Sequence, residues 1–177
     1  LLGCAVTTGL GAVFRTARVR PGSTVAVIGC GGVGLNVIQG AVLAGAARII
    51  AIDRSTDKCE LARSFGATDV IDASDGAVLE SVRDLTGDGV DYAFEAIGLK
   101  DTTEQAFAML RPGGTAVVVG MIPVGTSIEL PGVDFMSEKK LIGSLMGSNN
   151  FRTDTPRYAE LYAQGRLKLD ELVSARR

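Results

Sequence analysis

Histidine and tryptophan are absent from this chain of 177 residues, and cysteine, aromatic residues and long apolar runs are scarce. Without histidine, the chain cannot by itself build a histidine-based catalytic site or a zinc site that needs imidazole ligands. Its three cysteines are an odd number in a chain too long to need disulfide bonds, so we expect free thiols, a reducing compartment and a cytoplasmic protein. No apolar stretch approaches the roughly twenty residues of a membrane span, so we expect no membrane association.

The charges are few and balanced. The 18 basic and 20 acidic side chains give a net charge of -2, and no basic run occurs. This balance argues against binding to nucleic acid and favours a small-molecule partner. With 46% hydrophobic residues the chain can bury the core of one domain, covering residues 1–177. Because it begins Leu1-Leu2-Gly3 without methionine, we expect a piece of a longer protein.

Short apolar segments alternate with segments of helical periodicity along most of the chain. This alternation predicts an α/β fold with a doubly wound, six-stranded, mostly parallel sheet covered by helices on both faces. The predicted strands are 24–28, 49–52, 69–71, 90–95, 115–119 and 141–143, and the predicted helices are 32–44, 56–65, 77–86, 103–110 and 155–164.

A glycine motif lies directly between the first predicted strand and its helix. Gly29, Gly31 and Gly34 form G-x-G-x-x-G, and Asp53 ends the next strand nineteen positions beyond Gly34. In this context the motif is typical of a Rossmann-type dinucleotide site, in which the glycines permit the tight turn, the approach of the pyrophosphate and close helix packing. The alternative is a glycine turn in an α/β fold that binds no nucleotide.

Asp53 also indicates which dinucleotide is bound. A carboxylate at this position accepts the ribose hydroxyls of NAD and repels the 2′-phosphate of NADP, so we predict NAD. Arg54 is expected to cover the adenine, although a solvated surface charge is its alternative. Lys58 can reach the same ribose, and taken alone it is a surface lysine.

Cys4 with Thr7 and Thr8, followed by the glycine motif, Asp53 and Lys58, resembles the coenzyme domain of zinc-dependent medium-chain alcohol dehydrogenases. Cys4 precedes Gly29 by twenty-five positions, as the family places a catalytic zinc ligand. The resemblance implies that the Cys4 thiolate binds the catalytic zinc and that Thr8 packs on the nicotinamide. Taken alone, Cys4 is more simply a buried small hydrophobic residue, and Cys30 and Cys59 are expected to be structural.

The resemblance also implies the rest of a cofactor site. Lys58 would bind ribose, Ala96 and Ile97 would line the adenosine ribose, and the backbone near the ends of the last strands would hold the carboxamide. The remaining predicted cofactor residues are Gly32, Val33, Val119, Gly120, Met121, Ser144 and Met146. Catalytic zinc needs three protein ligands, and this chain offers one, so the others are expected upstream of Leu1.

The resulting hypothesis is an NAD- and zinc-dependent dehydrogenase acting on a primary alcohol or aldehyde, such as a thiol adduct of formaldehyde or an aryl alcohol. We expect the chain alone to be inactive, and a homodimer or homotetramer joined through residues 127–130 and 141–145. A dinucleotide-sensing module and a zinc-free NAD(P)-dependent quinone or enoyl reductase are the alternatives. A short-chain dehydrogenase is disfavoured because Tyr158 is followed four positions later by Tyr162 and not by lysine.

Overall fold

The computed structural model describes residues 2–173, and side chains from residue 3 onward. Six strands form one sheet in the order β3-β2-β1-β4-β5-β6, and every pairing is parallel. The predicted doubly wound sheet is therefore confirmed, and it is wholly rather than mostly parallel. The strands are β1 Thr24–Ile28, β2 Arg48–Asp53, β3 Asp69–Asp72, β4 Val90–Glu95, β5 Leu110–Val118 and β6 Lys140–Gly143.

Helices connect the strands and cover both faces. The α-helices are α1 Thr7–Gly11, α2 Gly32–Leu43, α3 Thr56–Ser64, α4 Val78–Thr86, α5 Lys100–Ala108 and α6 Phe151–Ala163. Two π-helical segments, Leu2–Val6 and Ala12–Ala17, flank α1, and 3-10 turns occur at Gly132–Ser137, Met146–Ser148 and Asp170–Leu172. In residues 2–173 no helix is both long and apolar enough to cross a membrane.

Two predicted helices had wrong boundaries. The helix predicted at 103–110 is Lys100–Ala108, and Leu110 already belongs to β5. The helix predicted at 155–164 begins at Phe151, because the Asp154 carboxylate accepts the backbone N–H of Asn150 at 2.8 Å and secures the first turn. The helical segment over residues 2–17 was not predicted at all.

Alternate residues of the central strands point to opposite faces, and both faces are buried. On one face Val25 and Val27 of β1 pack in the cluster that contains α2, whereas Ala26 and Ile28 pack in the cluster that contains Phe107 of α5. This double burial explains the continuous apolar runs of β1 and β2. The chain order reverses between β1 and β4, and a crevice for a ligand is expected where the carboxyl ends of these two strands diverge.

Candidate functional site

The glycine loop, residues 29–31, and the start of α2 carry the three glycines of the motif, and the fold itself needs two of them. Gly29 has φ +95°, a conformation that side chains rarely adopt. A Cβ on Gly34 would overlap the carbonyl oxygen of Gly29, so α2 can pack onto the end of β1 only if residue 34 is glycine. Gly31 differs from both, because its φ is -79° and a Cβ there would meet no atom within 4 Å.

The N-terminus of α2 is open to a ligand. No side chain caps this twelve-residue helix, and Gly31 and Gly32 are exposed, with Val33 partly exposed. The first N–H groups of a helix have no intrahelical acceptor and carry a partial positive charge, so they favour an anion such as a pyrophosphate.

The carboxylate of Asp53 is fixed at the end of β2. Its Oδ2 accepts the backbone N–H of Cys30 at 2.8 Å, and its Oδ1 accepts that of Ser55 at 3.0 Å. The side chain is 12% exposed, and Lys58 Nζ lies 3.9 Å from Oδ2. Asp53 therefore joins the glycine loop to the start of α3 while one edge of its carboxylate remains accessible.

A pocket of about 500 Å³ lies at the carboxyl ends of β1, β2 and β4. It brings together seven predicted cofactor residues: Gly29, Gly31, Asp53, Arg54, Lys58, Ala96 and Ile97. Sequence reasoning missed the rest of the lining. Ile28 and Ile52 lie at the ends of β1 and β2, and the others come after β3 and β4: Ala73, Gly76, Val78, Leu99, Asp101, Thr102 and Gln105. Their position at or after the carboxyl ends of the predicted strands was the available signal.

A larger cleft of about 660 Å³ lies at the opposite edge of the sheet. Its lining includes Arg18, Arg20, Asp91, Arg111 and Lys140, near the amino ends of the strands. Ligands of open α/β sheets bind at the carboxyl ends of the strands. Position in the fold, rather than size, therefore selects the smaller pocket as the candidate site.

A second group of predicted residues meets beside α1, outside the lining of the pocket. Thr8 is 7% exposed, and its hydroxyl lies 3.9 Å from the Met146 sulfur, although the two residues are 138 positions apart. Ser144 is held by a hydrogen bond of 2.8 Å between its hydroxyl and that of Thr16. The turn at Met146–Ser148 has positive φ at every residue and is packed against α1.

The loop after β5 lies next to the loop after β4. The N–H groups of Val119 and Gly120 donate to the backbone oxygen of Glu95 at 2.8 and 2.9 Å. Met121 follows with 89% of its surface exposed. These three predicted residues therefore border the end of β4 without lining the pocket.

The three thiols lie in different surroundings. Cys4 is exposed, whereas Cys30 and Cys59 are buried. Burial, followed by the nearby Asp53 charge, raises the pKa of the Cys30 thiol to about 12, and burial also raises the pKa of Cys59. Within residues 2–173, no cluster of three or more histidine, cysteine, aspartate or glutamate side chains forms a metal site. Cys4 as a zinc ligand therefore stays a prediction.

Comparisons with known proteins agree on one family. The family model described as zinc-binding dehydrogenase matches residues 32–164. A probable S-(hydroxymethyl)glutathione dehydrogenase 1 of Schizosaccharomyces pombe is 43% identical over 176 residues, which are 98% of this chain and 47% of that protein. The chain thus spans about half the length of this relative.

Solved structures agree with the sequence comparison. The crystal structure of benzyl alcohol dehydrogenase from Acinetobacter calcoaceticus has a TM-score of 0.93 at 32% identity, over 96% of this chain and 47% of that one. A putative zinc-binding dehydrogenase from Sinorhizobium meliloti 1021, bound to NADP, has a TM-score of 0.89 at 34% identity, over 97% of this chain and 50% of that one.

Proposed function

The chain belongs to the zinc-binding dehydrogenase family, and we propose that it is the dinucleotide-binding part of an NAD- and zinc-dependent alcohol dehydrogenase. The whole protein would transfer a hydride between NAD and a primary alcohol or aldehyde. Residues 1–177 would form the cofactor domain, with the catalytic domain elsewhere in a longer protein, and this chain alone would bind NAD without turnover.

The observation that carries the proposal is the open space at Gly31. The fold explains Gly29 by its positive φ and Gly34 by its contact with Gly29, but no contact within residues 2–173 explains Gly31. A dinucleotide does explain it, because the pyrophosphate must approach the backbone at this position more closely than a Cβ allows. The uncapped start of α2 supplies N–H donors at the same place.

Asp53 supports NAD as the preferred dinucleotide. Its carboxylate is held by Cys30 and Ser55 at the rim of the pocket, where it can accept ribose hydroxyls and would repel a 2′-phosphate. Arg54 and Lys58 line the same pocket. Although one similar structure contains NADP, the carboxylate makes this chain a better match for NAD.

The remaining residues would serve the reacting end of the cofactor. Thr8, beside Met146, would orient the nicotinamide, and the Cys4 thiolate would supply one ligand to the catalytic zinc. Zinc, when bound, acts as a Lewis acid that polarises the alcohol or carbonyl oxygen. The exposed position of Cys4 fits this role, because the other ligands would have to come from outside this chain.

Similar proteins suggest two substrate classes. A thiol adduct of formaldehyde is supported by the 43% identical relative, and an aryl alcohol by the 32% identical structure. We place the formaldehyde adduct first because of the higher identity. The free thiols of the three cysteines suit a cytoplasmic protein.

An assembly through the sheet edge is part of the proposal. β6 is an edge strand, and Leu145, two residues beyond its end, is 86% exposed. An uncovered apolar edge is a liability unless another chain covers it. A homodimer or homotetramer joined through 127–130 and 141–145 would cover it, and sedimentation of the whole protein would reveal a monomer if this is wrong.

The experiment that tests the proposed site is calorimetric titration of the chain with NAD and NADP, in wild type and in Gly31→Ala. We expect Gly31→Ala to leave thermal unfolding unchanged, since its Cβ meets no atom within 4 Å, and to weaken NAD binding at least about tenfold. Gly132→Ala is the matched control, because that glycine also has open space around it and lies outside the pocket. Equal NAD affinity in both variants would refute the proposal.

A further inference from the structure

The last residue of β4, Glu95, is a carboxylate with no exposed surface. Its Oε1 accepts three hydrogen bonds, from the backbone N–H groups of Ile97 and Gly98 at 2.9 and 2.8 Å and from the Thr102 hydroxyl at 2.8 Å. Two of these donors lie in the β4–α5 loop, residues 96–99, and the third lies in the first turn of α5. Oε1 therefore links the β4–α5 loop and the start of α5 to the end of β4.

Glu95 also lies where the β4–α5 loop meets the loop after β5. A Cβ on Gly98 would lie 2.6 Å from the Met121 carbonyl oxygen. A Cβ on Gly120 would overlap Gly98 N and lie 2.6 Å from Glu95 Oε2. The two loops thus pack backbone against backbone, with the carboxylate at their junction.

The loop that Glu95 holds forms a wall of the candidate site. Ala96, Ile97 and Leu99 line the pocket. The Ile97 side chain also lies over the glycine loop, since a Cβ on Gly29 would be 2.6 Å from Ile97 Cγ1. The position of Ile97 relative to the glycine loop therefore depends on the hydrogen bonds that Glu95 accepts.

Burying a carboxylate is costly unless its hydrogen bonds offset the lost hydration. Here Oε1 has three donors, whereas Oε2 has no hydrogen-bond partner within residues 2–173. All three hydrogen bonds of the Glu95 side chain come from the loop and from the helix that follows it. The conformation of this loop therefore offsets part of the cost of burying the carboxylate.

We infer that Glu95 is a positioning residue of the dinucleotide site, which holds the β4–α5 loop in the conformation that receives the cofactor. The inference rests on the proposed function, because it assigns the pocket wall to a bound dinucleotide. We further infer that the loop is held because Oε1 lies within hydrogen-bond distance of its three donors, and not because the carboxylate is charged.

Two substitutions at Glu95 separate the effect of side-chain length from the effect of negative charge. Glu95→Gln keeps the side-chain length, so its amide oxygen can accept all three bonds while its NH₂ occupies the unpartnered position. Glu95→Asp keeps the charge but withdraws it by one methylene, out of reach of the three donors. Asp91→Asn is the matched control: Asp91 lies on the same strand at the opposite edge and accepts the N–H of Thr24 at 2.8 Å.

The measurements are NAD affinity by calorimetry and amide hydrogen exchange at Ile97 and Gly98, at a temperature where each variant is folded. We expect Glu95→Asp to weaken NAD binding about tenfold and to accelerate exchange at both amides, because a loosened loop must be ordered again on binding. Glu95→Gln should stay within about threefold of wild type. Asp91→Asn should lower the melting temperature and change neither readout.

Unchanged exchange or unchanged NAD affinity in Glu95→Asp would overturn the inference. A Glu95→Gln variant that binds NAD as weakly as Glu95→Asp would also overturn it, because the charge and not the side-chain length would then hold the loop. If Glu95→Asp fails to fold, Glu95→Gln still tests the inference: NAD affinity near that of wild type supports side-chain length, and weak binding supports charge. A wild-type chain that binds neither NAD nor NADP would refute the proposed function. Unchanged exchange at Ile97 and Gly98 in Glu95→Asp would instead show, without any ligand, that Glu95 does not order the β4–α5 loop.

Discussion

Replacement of Asp53 should change both the affinity for NAD and the discrimination against NADP. In the structure both carboxylate oxygens accept a backbone N–H, from Cys30 and from Ser55. Each oxygen can accept a further hydrogen bond, so ribose hydroxyls can bind without displacing these contacts. Asp53→Asn keeps one acceptor oxygen and turns an NH₂ toward one of the two N–H groups, whereas Asp53→Gly removes every contact.

The size of the effect follows from the bonds that are lost. A hydrogen bond to a charged acceptor contributes about 1.5–3 kcal/mol, which corresponds to roughly 10–150-fold in Kd. We expect Asp53→Gly to lose this amount for NAD and to gain affinity for NADP, since the repulsion of the 2′-phosphate disappears. Lys58, now 3.9 Å from Asp53 Oδ2, would then be free to attract that phosphate. The ratio of the two affinities should shift by at least about tenfold.

Calorimetric titration with both dinucleotides measures this ratio directly. Asp72→Asn is the control, because Asp72 pairs with Asp53 in the sheet register but lies outside the pocket. Asp53→Asn should also lower the free energy of unfolding by about 1–3 kcal/mol through its unmet backbone N–H. An Asp53→Gly variant with the wild-type ratio of affinities would contradict this role of Asp53, as would a wild-type chain that binds NADP more tightly than NAD.

Three further predictions follow from other contacts. Arg15 holds the pKa of the Asp154 carboxyl below its usual range. The ionised carboxylate should therefore stabilise the fold above the unfolded pKa of about 3.9, and this stabilisation should be lost as the pH falls through the lower folded pKa. Asp154→Asn should abolish this acid dependence in thermal melts, and a variant with the wild-type pH profile would contradict the prediction. In the native protein only Cys4 should react rapidly with a thiol reagent, because Cys30 and Cys59 are buried, whereas in denaturant all three cysteines should react. Fast reaction of a second thiol in the native state would argue against the burial of Cys30 and Cys59. Gly34→Ala should destabilise the fold by about 1–3 kcal/mol, because its Cβ would overlap the Gly29 carbonyl oxygen; denaturant unfolding with no change in midpoint would disprove that contact.

Where sequence patterns are local, the structure followed them closely. β1 and β4 occupy the predicted residues, because most of the side chains in each strand are buried. The glycine loop and Asp53 were predicted for the same reason, since a turn, a helix start and a strand end are encoded within a few residues of each other. The fold class followed from the alternation of such segments.

Features that depend on distant partners were missed or misplaced. α6 begins four residues before its predicted start, with Asp154 in its first turns held by the salt bridge to Arg15 far away in sequence. Glu95 ended a predicted strand without being recognised, because its role depends on how the chain folds back over that end. The periodicity of apolar residues carries no information about contacts between residues that are distant in the sequence.

The type of each central element, the glycine turn and the acid that follows it could be predicted, because these depend on periodicity, backbone freedom and the chemistry of neighbouring residues. The strand order, which brings the ends of β1, β2 and β4 to one pocket, could not be predicted in this way, nor could the contact of Thr8 with Met146 across 138 positions. Such long-range neighbours are selected by the packing of whole sheet faces and helices, and that packing depends on all the elements at once.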